Sequence, residues 1–311
     1  MPKDVEAIEV LIVGGGAAGL AAALTFGRLR RKVWVCSAGE PRNAPARHMH
    51  NFPGFDGVPP EQWRERVNQE LKHYPSVHRE TVEVLALTPE SGGFRAQLSS
   101  GQSLWTQKVL LTTGVQDVLP EIPGLLELWG KTVVHCPFCH GFEFQDQRLA
   151  LLGQGDLALH MLAMLLGLSR DITVFTQGPA QFTATQRQSL MEQGVGLIET
   201  PVIRLQGEGE QLQALELASG ETVARDALYL APQFPVRQRS PLVQNLGCAL
   251  DSQGWVTVDD MGQTSVPGVY AAGDMAGMRG QSVLNSAASG SMTAGRLCGL
   301  LLAAQAGFDH A

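Results

Sequence analysis

The sequence predicts an α/β protein with two doubly wound, Rossmann-like domains of three layers each (ββα), the second inserted in the first. A strand, a glycine-rich loop, a helix and another strand precede a β-rich stretch, and this order occurs twice. The length of 311 residues also exceeds the roughly 250 residues that one core usually supports. A long final helix with no strand after it indicates a return to the first domain. We therefore expect residues 1–115 and 247–311 to form the first domain and 116–246 the second.

The first repeat starts near the N-terminus. The apolar run 9–13 predicts a buried strand that ends at glycines, and the Ala- and Leu-rich segment 20–29 predicts a helix. Residues 33–36 predict the next strand, which completes a βαβ unit. A helix is expected from Pro59-Pro60 to about residue 71, because proline is favoured in a first turn. Residues 77–110 alternate short β-rich runs with turns.

The second repeat follows the same order. Residues 149–152 predict a strand, 157–168 a helix and 171–175 another strand. The apolar run 157–168 is too short to cross a bilayer, so a buried helix is the better interpretation. Residues 195–231 form a second β-rich stretch, and residues 283–302 predict the final helix.

Composition excludes several classes of function. The net charge of −7, without a basic run, argues against nucleic acid and acidic membrane surfaces as partners. Five cysteines are few and odd in number, which fits a reducing cytoplasm better than a disulfide framework. The N-terminus has no charged and apolar leader pattern, so we expect a cytoplasmic location. No metal site is predicted.

The first glycine-rich loop predicts a dinucleotide site. Gly14 permits the tight turn, Gly16 allows the backbone to approach phosphate, and Gly19 lets helix pack on strand, with Ala17 and Ala18 between them. Ordinary turn glycines are the alternative. The position of the loop, after a strand and before a helix, favours pyrophosphate binding.

A ribose-binding residue is expected about 20 positions further on, and it is usually acidic. This chain has Ser37 there and Glu40 three residues later. Either side chain can accept a hydrogen bond from a ribose hydroxyl, so both residues are predicted as ribose-binding candidates.

Cys136 and Cys139 form a Cys-x-x-Cys pair in the second predicted domain. Two cysteines at this spacing can cycle between dithiol and disulfide with little backbone movement. Half of a zinc site is an alternative, but the other three cysteines are isolated. With the histidine that follows, the motif also matches a c-type haem attachment site, which needs an exported protein. A redox pair is the favoured interpretation.

Taken together, these motifs resemble the low-molecular-weight thioredoxin reductases, within the FAD-dependent pyridine nucleotide-disulfide oxidoreductase superfamily. The resemblance covers essentially the whole chain, and it is specific because each motif stands separately and in order. The matching segments are the loop 14–19, Asn51-Phe52-Pro53-Gly54-Phe55, Thr112-Thr113-Gly114, the cysteine pair, and residues 264–274.

The resemblance implies FAD in the first domain, a homodimer, and a thioredoxin-like protein as partner. It implies that Cys139 faces the flavin and that Cys136 exchanges with substrate. A helix N-terminus near the flavin ring would stabilise the reduced, anionic flavin. The further residues that it assigns to the cofactor are Asn51, Thr113, Gly114, Gly273, Asp274 on the ribitol, Gln281 and Ser282.

His140 stands where thioredoxin reductases usually have an acidic residue. This variant resembles a subgroup that includes dithiol oxidases of disulfide-containing natural products. Imidazole can take a proton from a thiol near neutral pH, so we predict an acid/base role for His140. A packing role is the alternative. His48, His50 and His135 are weaker candidates.

The second glycine-rich loop departs from the family pattern. Gly153, Gly155 and Ala158 could bend around the pyrophosphate of a nicotinamide nucleotide. Relatives that use NADPH carry an arginine cluster after the next strand, whereas this chain has Gln177, and its next arginine is Arg187. A phosphate needs a cationic partner that glutamine cannot replace. A degenerate site is therefore slightly favoured over a working NADPH site.

We expect a thioredoxin-reductase-like FAD enzyme that exchanges electrons between flavin and a disulfide or dithiol substrate through Cys136 and Cys139. The electron donor is left open. A small-molecule dithiol oxidase that uses oxygen is the alternative, favoured by His140 and the missing arginines. A flavin-binding redox sensor is the alternative of another class. A further hypothesis places Phe308 or His310 over the flavin of a partner subunit, against the alternative of a frayed terminus.

Overall fold

The structure is a computed structural model, and it describes residues 8–232, 234–277 and 281–308. The helices are α1 (Ala17–Arg28), α2 (Pro60–Leu71), α3 (Leu125–Leu128), α4 (Pro137–His140), α5 (Gly155–Leu165), α6 (Ala184–Glu192), α7 (Leu242–Asn245) and α8 (Val283–Ala306). Strands β1 to β9 are Ile8–Val13, Val33–Cys36, Val77–Glu80, Val84–Glu90, Gly93–Leu98, Ser103–Leu111, Val115–Asp117, Val133–Val134 and Leu149–Leu152. Strands β10 to β17 are Ile172–Phe175, Gly196–Ile198, Val202–Glu208, Gln211–Leu217, Thr222–Ala224, Ala227–Leu230, Val236–Gln238 and Val269–Ala271.

Contacts divide the chain into two compact units. Unit 1 contains residues 8–42, 61–116 and 236–308, and unit 2 contains residues 43–60 and 117–235. Each unit holds a parallel sheet, an antiparallel meander and packed helices. The predicted α/β class with two doubly wound domains is confirmed.

Unit 1 is built on a sheet of order β3-β2-β1-β6-β5-β4, with β17 paired to β6. Strands β1, β2, β3, β6 and β17 run parallel, and β4 and β5 add an antiparallel meander to the start of β6. All six residues of β1 are buried, as expected for a central parallel strand. The carboxyl ends of β1, β2 and β17 carry the first glycine-rich loop and the segments discussed below.

Unit 2 repeats this plan with a parallel sheet of order β11-β10-β9-β15-β8 and a separate meander of β12, β13 and β14. Alternate residues of β9 face opposite layers, as the period of a strand requires. Leu149 and Leu151 pack in a cluster with α5 and α6, whereas Ala150 and Leu152 pack in a cluster with the meander. These two cores give the unit its three layers.

The unit boundaries differ from the expected domain boundaries at two places. Residues 236–246 belong to unit 1, because Leu242 and Val243 of α7 are buried in its core. Residues 43–60 belong to unit 2, where Arg47 forms an ion pair with Glu210 and Pro45 packs against Gly130. Long-range ion pairs leave no periodic signal in the sequence, so the pattern could not assign this segment.

None of the helices in the described part of the chain is long and apolar enough to cross a membrane.

Candidate active site

The first glycine-rich loop joins β1 to α1 in unit 1. Gly14 has φ +117°, a conformation that side chains rarely adopt. A Cβ on Gly19 would overlap the carbonyl oxygen of Gly14, so only glycine lets α1 approach the turn this closely. The hydroxyl of Thr112 donates to the carbonyl oxygen of Gly14 over 2.8 Å and fixes the loop to the end of β6. The loop therefore has the turn and the close helix packing that a dinucleotide cradle requires.

The N-terminus of α1 offers room for a phosphate. Gly16 caps the helix, and no heavy atom outside its chain neighbours lies within 4 Å of the place where its Cβ would be. Ala17 and Ala18 start the helix, whose free backbone N–H groups favour an anion. Ser37 follows β2 beside this loop, since a Cβ on Gly15 would lie 2.5 Å from its Oγ. Glycine approach, helix N–H donors and a nearby hydroxyl fit the pyrophosphate and ribose of FAD.

The Gly273-Asp274 segment follows β17 in the same unit. Gly273 has φ +79°, and the Asp274 carboxylate is clamped from both sides. Ser286 donates to Oδ1 of Asp274 over 2.6 Å, and Arg42 donates from Nη1 to Oδ2 over 2.9 Å. The same Nη1 donates to Oε1 of Gln281 over 2.5 Å. The aspartate and glutamine predicted to hold flavin are thus joined by one guanidinium.

Arg42 is a candidate site residue that the sequence interpretation missed. Its side chain is 17% exposed, and that of Asp274 is 19% exposed. A half-buried carboxylate needs a cation or hydrogen-bond donors close by. The Asp274 carboxylate therefore needs a cationic partner, and a search for one among the charged residues just after β2 could have found Arg42.

The other predicted cofactor residues divide between the units. Ser282 caps α8 through its Oγ, which accepts from the N–H of Asn285, and Thr113 contacts Sδ of Met275 over 3.6 Å. Glu40 is exposed. Asn51, with φ +61°, belongs to unit 2. The predicted cofactor residues within unit 1 are Gly14, Gly16, Ala17, Ala18, Gly19, Ser37, Glu40, Thr113, Gly114, Gly273, Asp274, Gln281 and Ser282.

Replacing Arg42 by glutamine is expected to weaken FAD binding by about 10-fold or more. Hydrogen bonds to charged groups contribute about 1.5–3 kcal/mol each, and 1.4 kcal/mol corresponds to tenfold in affinity. Titration of the stripped protein with FAD, followed by flavin fluorescence, measures the change. Arg47→Gln is the matched control, because Arg47 is more exposed and pairs with Glu210 in unit 2. Equal FAD affinity in Arg42→Gln and wild type would contradict this assignment.

The cysteine pair lies in unit 2, directly after β8. Cys136 caps the short helix α4, Pro137 takes its first position, and Cys139 lies in its last turn. The two residues form a disulfide with a Cα–Cα distance of 5.3 Å. The remaining cysteines, Cys36, Cys248 and Cys298, are buried and free, and burial raises the pKa of each thiol. Exchange with an external thiol is therefore confined to Cys136 and Cys139.

Two exposed aromatic rings lie close to this disulfide in sequence. Phe138, between the cysteines, is 69% exposed, and Phe142 is 74% exposed. Large apolar side chains exposed beside a reactive pair mark a surface for an apolar partner or substrate. The sequence interpretation had not assigned them a role.

His140 is placed differently from what an acid/base role requires. Neither of its ring nitrogens reaches solvent or has a hydrogen-bond partner among the described residues. Its carbonyl oxygen accepts a 2.8 Å bond from the hydroxyl of Tyr229, which anchors the end of α4. Burial, and then the charges of His135 and His50, lower the pKa of His140 to about 4. With the disulfide closed, His140 is thus neutral at neutral pH.

The remaining histidines occupy distinct positions in unit 2. The ring of His135 stacks on that of Trp129, with 5.4 Å between centroids. His48 is exposed, and its ring lies 6.3 Å from that of His50. No group of three metal-ligating side chains with a suitable arrangement occurs within the described ranges. Phe308 is 69% exposed, and His310 lies outside the described residues.

The second glycine-rich loop joins β9 to α5. Gly155 has φ +63° and starts the helix, and Ala158 is buried in the core of unit 2. Gly153 follows β9 directly and donates to the carbonyl oxygen of Phe175 over 3.0 Å. The backbone therefore repeats the path of a nucleotide loop.

The side chains at the end of β10 are engaged in structural contacts. The amide of Gln177 accepts from the N–H of Val202 over 2.6 Å and donates to its carbonyl oxygen over 3.2 Å. Arg187 donates to Oε1 of Glu199 over 2.9 Å and to the carbonyl oxygen of Ala180 over 3.0 Å. Gln177 and Arg187 thus tie neighbouring segments of unit 2 together.

Replacing Gln177 by alanine is expected to lower the free energy of unfolding by about 1–3 kcal/mol, since two backbone groups of Val202 lose their partner. Urea unfolding followed by circular dichroism measures the loss. Gln188→Ala is the control, because Gln188 is exposed and bonds only Glu192 among the described residues. Equal stabilities of the two variants would show that the Gln177 contacts are unimportant.

The fold and its sites define a flavin-dependent disulfide oxidoreductase. The model of the pyridine nucleotide-disulphide oxidoreductase family matches residues 8–291, and the chain belongs to that family. The enzyme class and the FAD cofactor predicted from the sequence are confirmed.

Similar proteins align with this chain over nearly its whole length. Thioredoxin reductase tcpT of Claviceps purpurea is 34% identical over 297 residues, which cover 91% of each chain. The structure assigned as thioredoxin reductase TrxB of Bacillus anthracis has a TM-score of 0.90 at 30% identity, covering 96% of this chain and 99% of that one. The structure of HlmI has a TM-score of 0.87 at 36% identity, covering 97% and 94%. The resemblance to thioredoxin reductases is confirmed.

Proposed function

We propose that this chain is a dithiol oxidase, in which the Cys136–Cys139 disulfide takes two electrons from a dithiol and bound FAD passes them to oxygen. The proposal is carried by the contacts of Gln177 and Arg187, since both side chains already bind other groups of unit 2. A 2′-phosphate needs a cationic partner, but Arg187 already pairs with Glu199 over 2.9 Å. NADPH is thus a poor source of electrons, and the dithiol becomes the donor.

The remaining arginine of the segment 153–187 does not change this conclusion. Arg170 precedes β10 and therefore stands at the amino end of that strand. Nucleotides bind at the carboxyl ends of parallel strands, where the glycine-rich loop lies. The segment holds no lysine.

The surroundings of the disulfide favour a small apolar dithiol as substrate. Phe138 and Phe142 expose most of their rings within three residues of Cys139. Such rings supply contact area for an apolar molecule without demanding charge complementarity. A thioredoxin-like protein is the second candidate, because two of the relatives above are named thioredoxin reductases.

The chemistry on the protein is two successive thiol–disulfide exchanges. A substrate thiolate attacks Sγ of Cys136, the S–S bond breaks, and Cys139 leaves as thiolate. The second substrate thiol loses its proton and attacks the mixed disulfide, which releases Cys136 and the oxidised substrate. FAD, held by the first glycine-rich loop and the Asp274 segment, would supply the redox chemistry that reoxidises the pair, with oxygen as the final acceptor of two electrons and two protons, giving hydrogen peroxide. Each turnover therefore consumes one dithiol and one oxygen.

Oxygen uptake in the absence of nicotinamide nucleotides tests the proposal. The purified FAD protein, supplied with dithiothreitol, should consume oxygen and produce equimolar hydrogen peroxide, and added NADPH should not change the rate. The double variant Cys136→Ser/Cys139→Ser controls for free flavin and for spontaneous dithiol oxidation. Uptake that requires NADPH would support the thioredoxin-reducing candidate. Absence of any turnover with dithiols or disulfides would favour a redox sensor.

Homodimer assembly, a cytoplasmic location and coverage of flavin by the C-terminal residues stay predictions. Size-exclusion chromatography with light scattering tests the first of them.

A further inference from the structure

Tyr229 holds the redox segment of unit 2 at both ends. In β15 it is the register partner of Val134, the last residue of β8, which lies two residues before Cys136. Its hydroxyl donates to the carbonyl oxygen of His140, the residue after Cys139, over 2.8 Å. One residue of the sheet thus fixes the chain just before and just after the cysteine pair.

Tyr229 is itself firmly held. It is fully buried, and its strand lies between β9 and β8 in the parallel sheet. The ring of Phe144 packs perpendicular to that of Tyr229, with 6.4 Å between centroids. Burial, and then the charge of Glu143, raise the pKa of Tyr229, so its hydroxyl keeps the proton that it donates. The hydrogen bond to His140 therefore starts from a fixed point.

The redox helix α4 is short and lies at the surface of the unit. All four of its residues are partly or fully exposed. Its own backbone bonds run from Cys139 and His140 to the carbonyl oxygen of Cys136, both over 3.1 Å. Those bonds close a single turn and do not attach it to the sheet. A single helical turn is marginal by itself, so its position depends on contacts such as the bond from Tyr229.

The open dithiol needs this anchor more than the disulfide does. In the disulfide, the S–S bond joins Cys136 to Cys139 and holds the turn closed by itself. Once this bond is broken, the two sulfurs stay close only while the backbone of the turn keeps its shape. A backbone that is already fixed loses less conformational entropy when the S–S bond forms again. An anchor on His140 therefore favours closure of the pair.

We propose that Tyr229 is a positioning residue for the redox pair, and that its hydroxyl, by holding His140, favours the disulfide over the dithiol. In each cycle the pair forms its S–S bond again as two electrons and two protons leave, and the anchor favours that step. The assignment deepens the proposed function and rests on it for the direction of the cycle, but its test does not require turnover.

The redox equilibrium of the pair in Tyr229→Phe tests the proposal, since phenylalanine keeps the ring and removes only the hydroxyl. The FAD protein is equilibrated without oxygen in mixtures of reduced and oxidised glutathione. Free thiols are then alkylated with iodoacetamide, and mass spectrometry of the peptide that carries Cys136 and Cys139 gives the oxidised fraction. The equilibrium constant for disulfide formation should fall about 3- to 10-fold in the variant, the range that the net contribution of one hydrogen bond spans.

Tyr270→Phe is the matched control, because Tyr270 is a buried tyrosine in strand β17 of unit 1. Its equilibrium constant should equal that of the wild type, and retained FAD verifies that both variants fold. Thermal unfolding provides a second measurement. Because folding and oxidation are linked, Tyr229→Phe should lower the melting temperature of the dithiol form more than that of the disulfide form. A purely structural contact would lower both alike.

An unchanged equilibrium constant in Tyr229→Phe, or equal losses of melting temperature in the two redox forms, would overturn the assignment. A change of the same size in Tyr270→Phe would overturn it as well. The two proposals fail separately. A shifted equilibrium in a protein without oxygen uptake would refute the oxidase and retain the role of Tyr229. Oxygen uptake with an unshifted equilibrium would do the reverse.

Discussion

Replacing Cys139 by serine is expected to abolish dithiol oxidation, with a loss of at least ~10³-fold in turnover, the scale seen when an essential nucleophile is removed. A serine hydroxyl cannot form the S–S bond that stores two electrons between substrate and cofactor. Cys136→Ser should lose as much, because both sulfurs belong to the same bond. Oxygen uptake with dithiothreitol measures the loss.

The matched reference for stability is the reduced wild-type protein, which also lacks the cross-link. Closing so short a loop contributes only about 2 kcal/mol in the chain-entropy treatment. Both serine variants should therefore melt close to the reduced wild type and retain FAD. Residual turnover within tenfold of the wild type in either variant would refute a mechanism that passes through this pair.

Gly290→Ala is expected to destabilise unit 1 by about 3 kcal/mol or more, the upper end of what overpacking costs. Gly290 is buried in α8, and a Cβ there would overlap the carbonyl oxygen of Ala18 in α1. Backbone atoms lie on both sides of this contact, so a rotamer change cannot relieve it. Because α1 begins at the glycine-rich loop, the variant should also lose FAD. Flavin content after purification and thermal unfolding measure both effects.

Gly295→Ala provides the control in the same helix. Gly295 is exposed, and beyond its chain neighbours and the adjacent backbone of its own helix no heavy atom lies within 4 Å of its Cβ position. Alanine is favoured over glycine in a helix interior by up to about 1 kcal/mol, so this variant should be slightly more stable than wild type. Equal behaviour of the two alanine variants would mean that α1 and α8 do not pack as described.

Local patterns in the sequence predicted much of the fold. The strand 33–36 and the strand 149–152 have the bounds that the apolar runs indicated, because buried parallel strands read as continuous apolar segments. The glycine turn at Gly14 also followed from spacing, since few other residues adopt its positive φ.

Long-range partners could not be predicted in this way. Arg42 and Asp274 are 232 residues apart, and nothing in either local sequence announces their ion pair. The same holds for the ion pair of Arg47 with Glu210. This pair lies in unit 2, as does Asn51, which belongs to the same segment 43–60 as Arg47. The position of His140 next to Cys139 suggested an acid/base role. Burial of a side chain depends on the whole fold and cannot be read from neighbouring residues. In the structure, burial leaves the ring nitrogens of His140 without a route for protons.

The most direct test of the oxidase is an anaerobic absorbance titration of the purified FAD protein, first with NADPH and then with dithiothreitol. We predict that NADPH leaves the flavin spectrum unchanged and that one equivalent of dithiol beyond the disulfide bleaches it. Admission of oxygen should then restore the oxidised spectrum. Rapid bleaching by NADPH would contradict the account, since the side chains at the end of β10 would then hold a nucleotide despite their contacts with Val202 and Glu199.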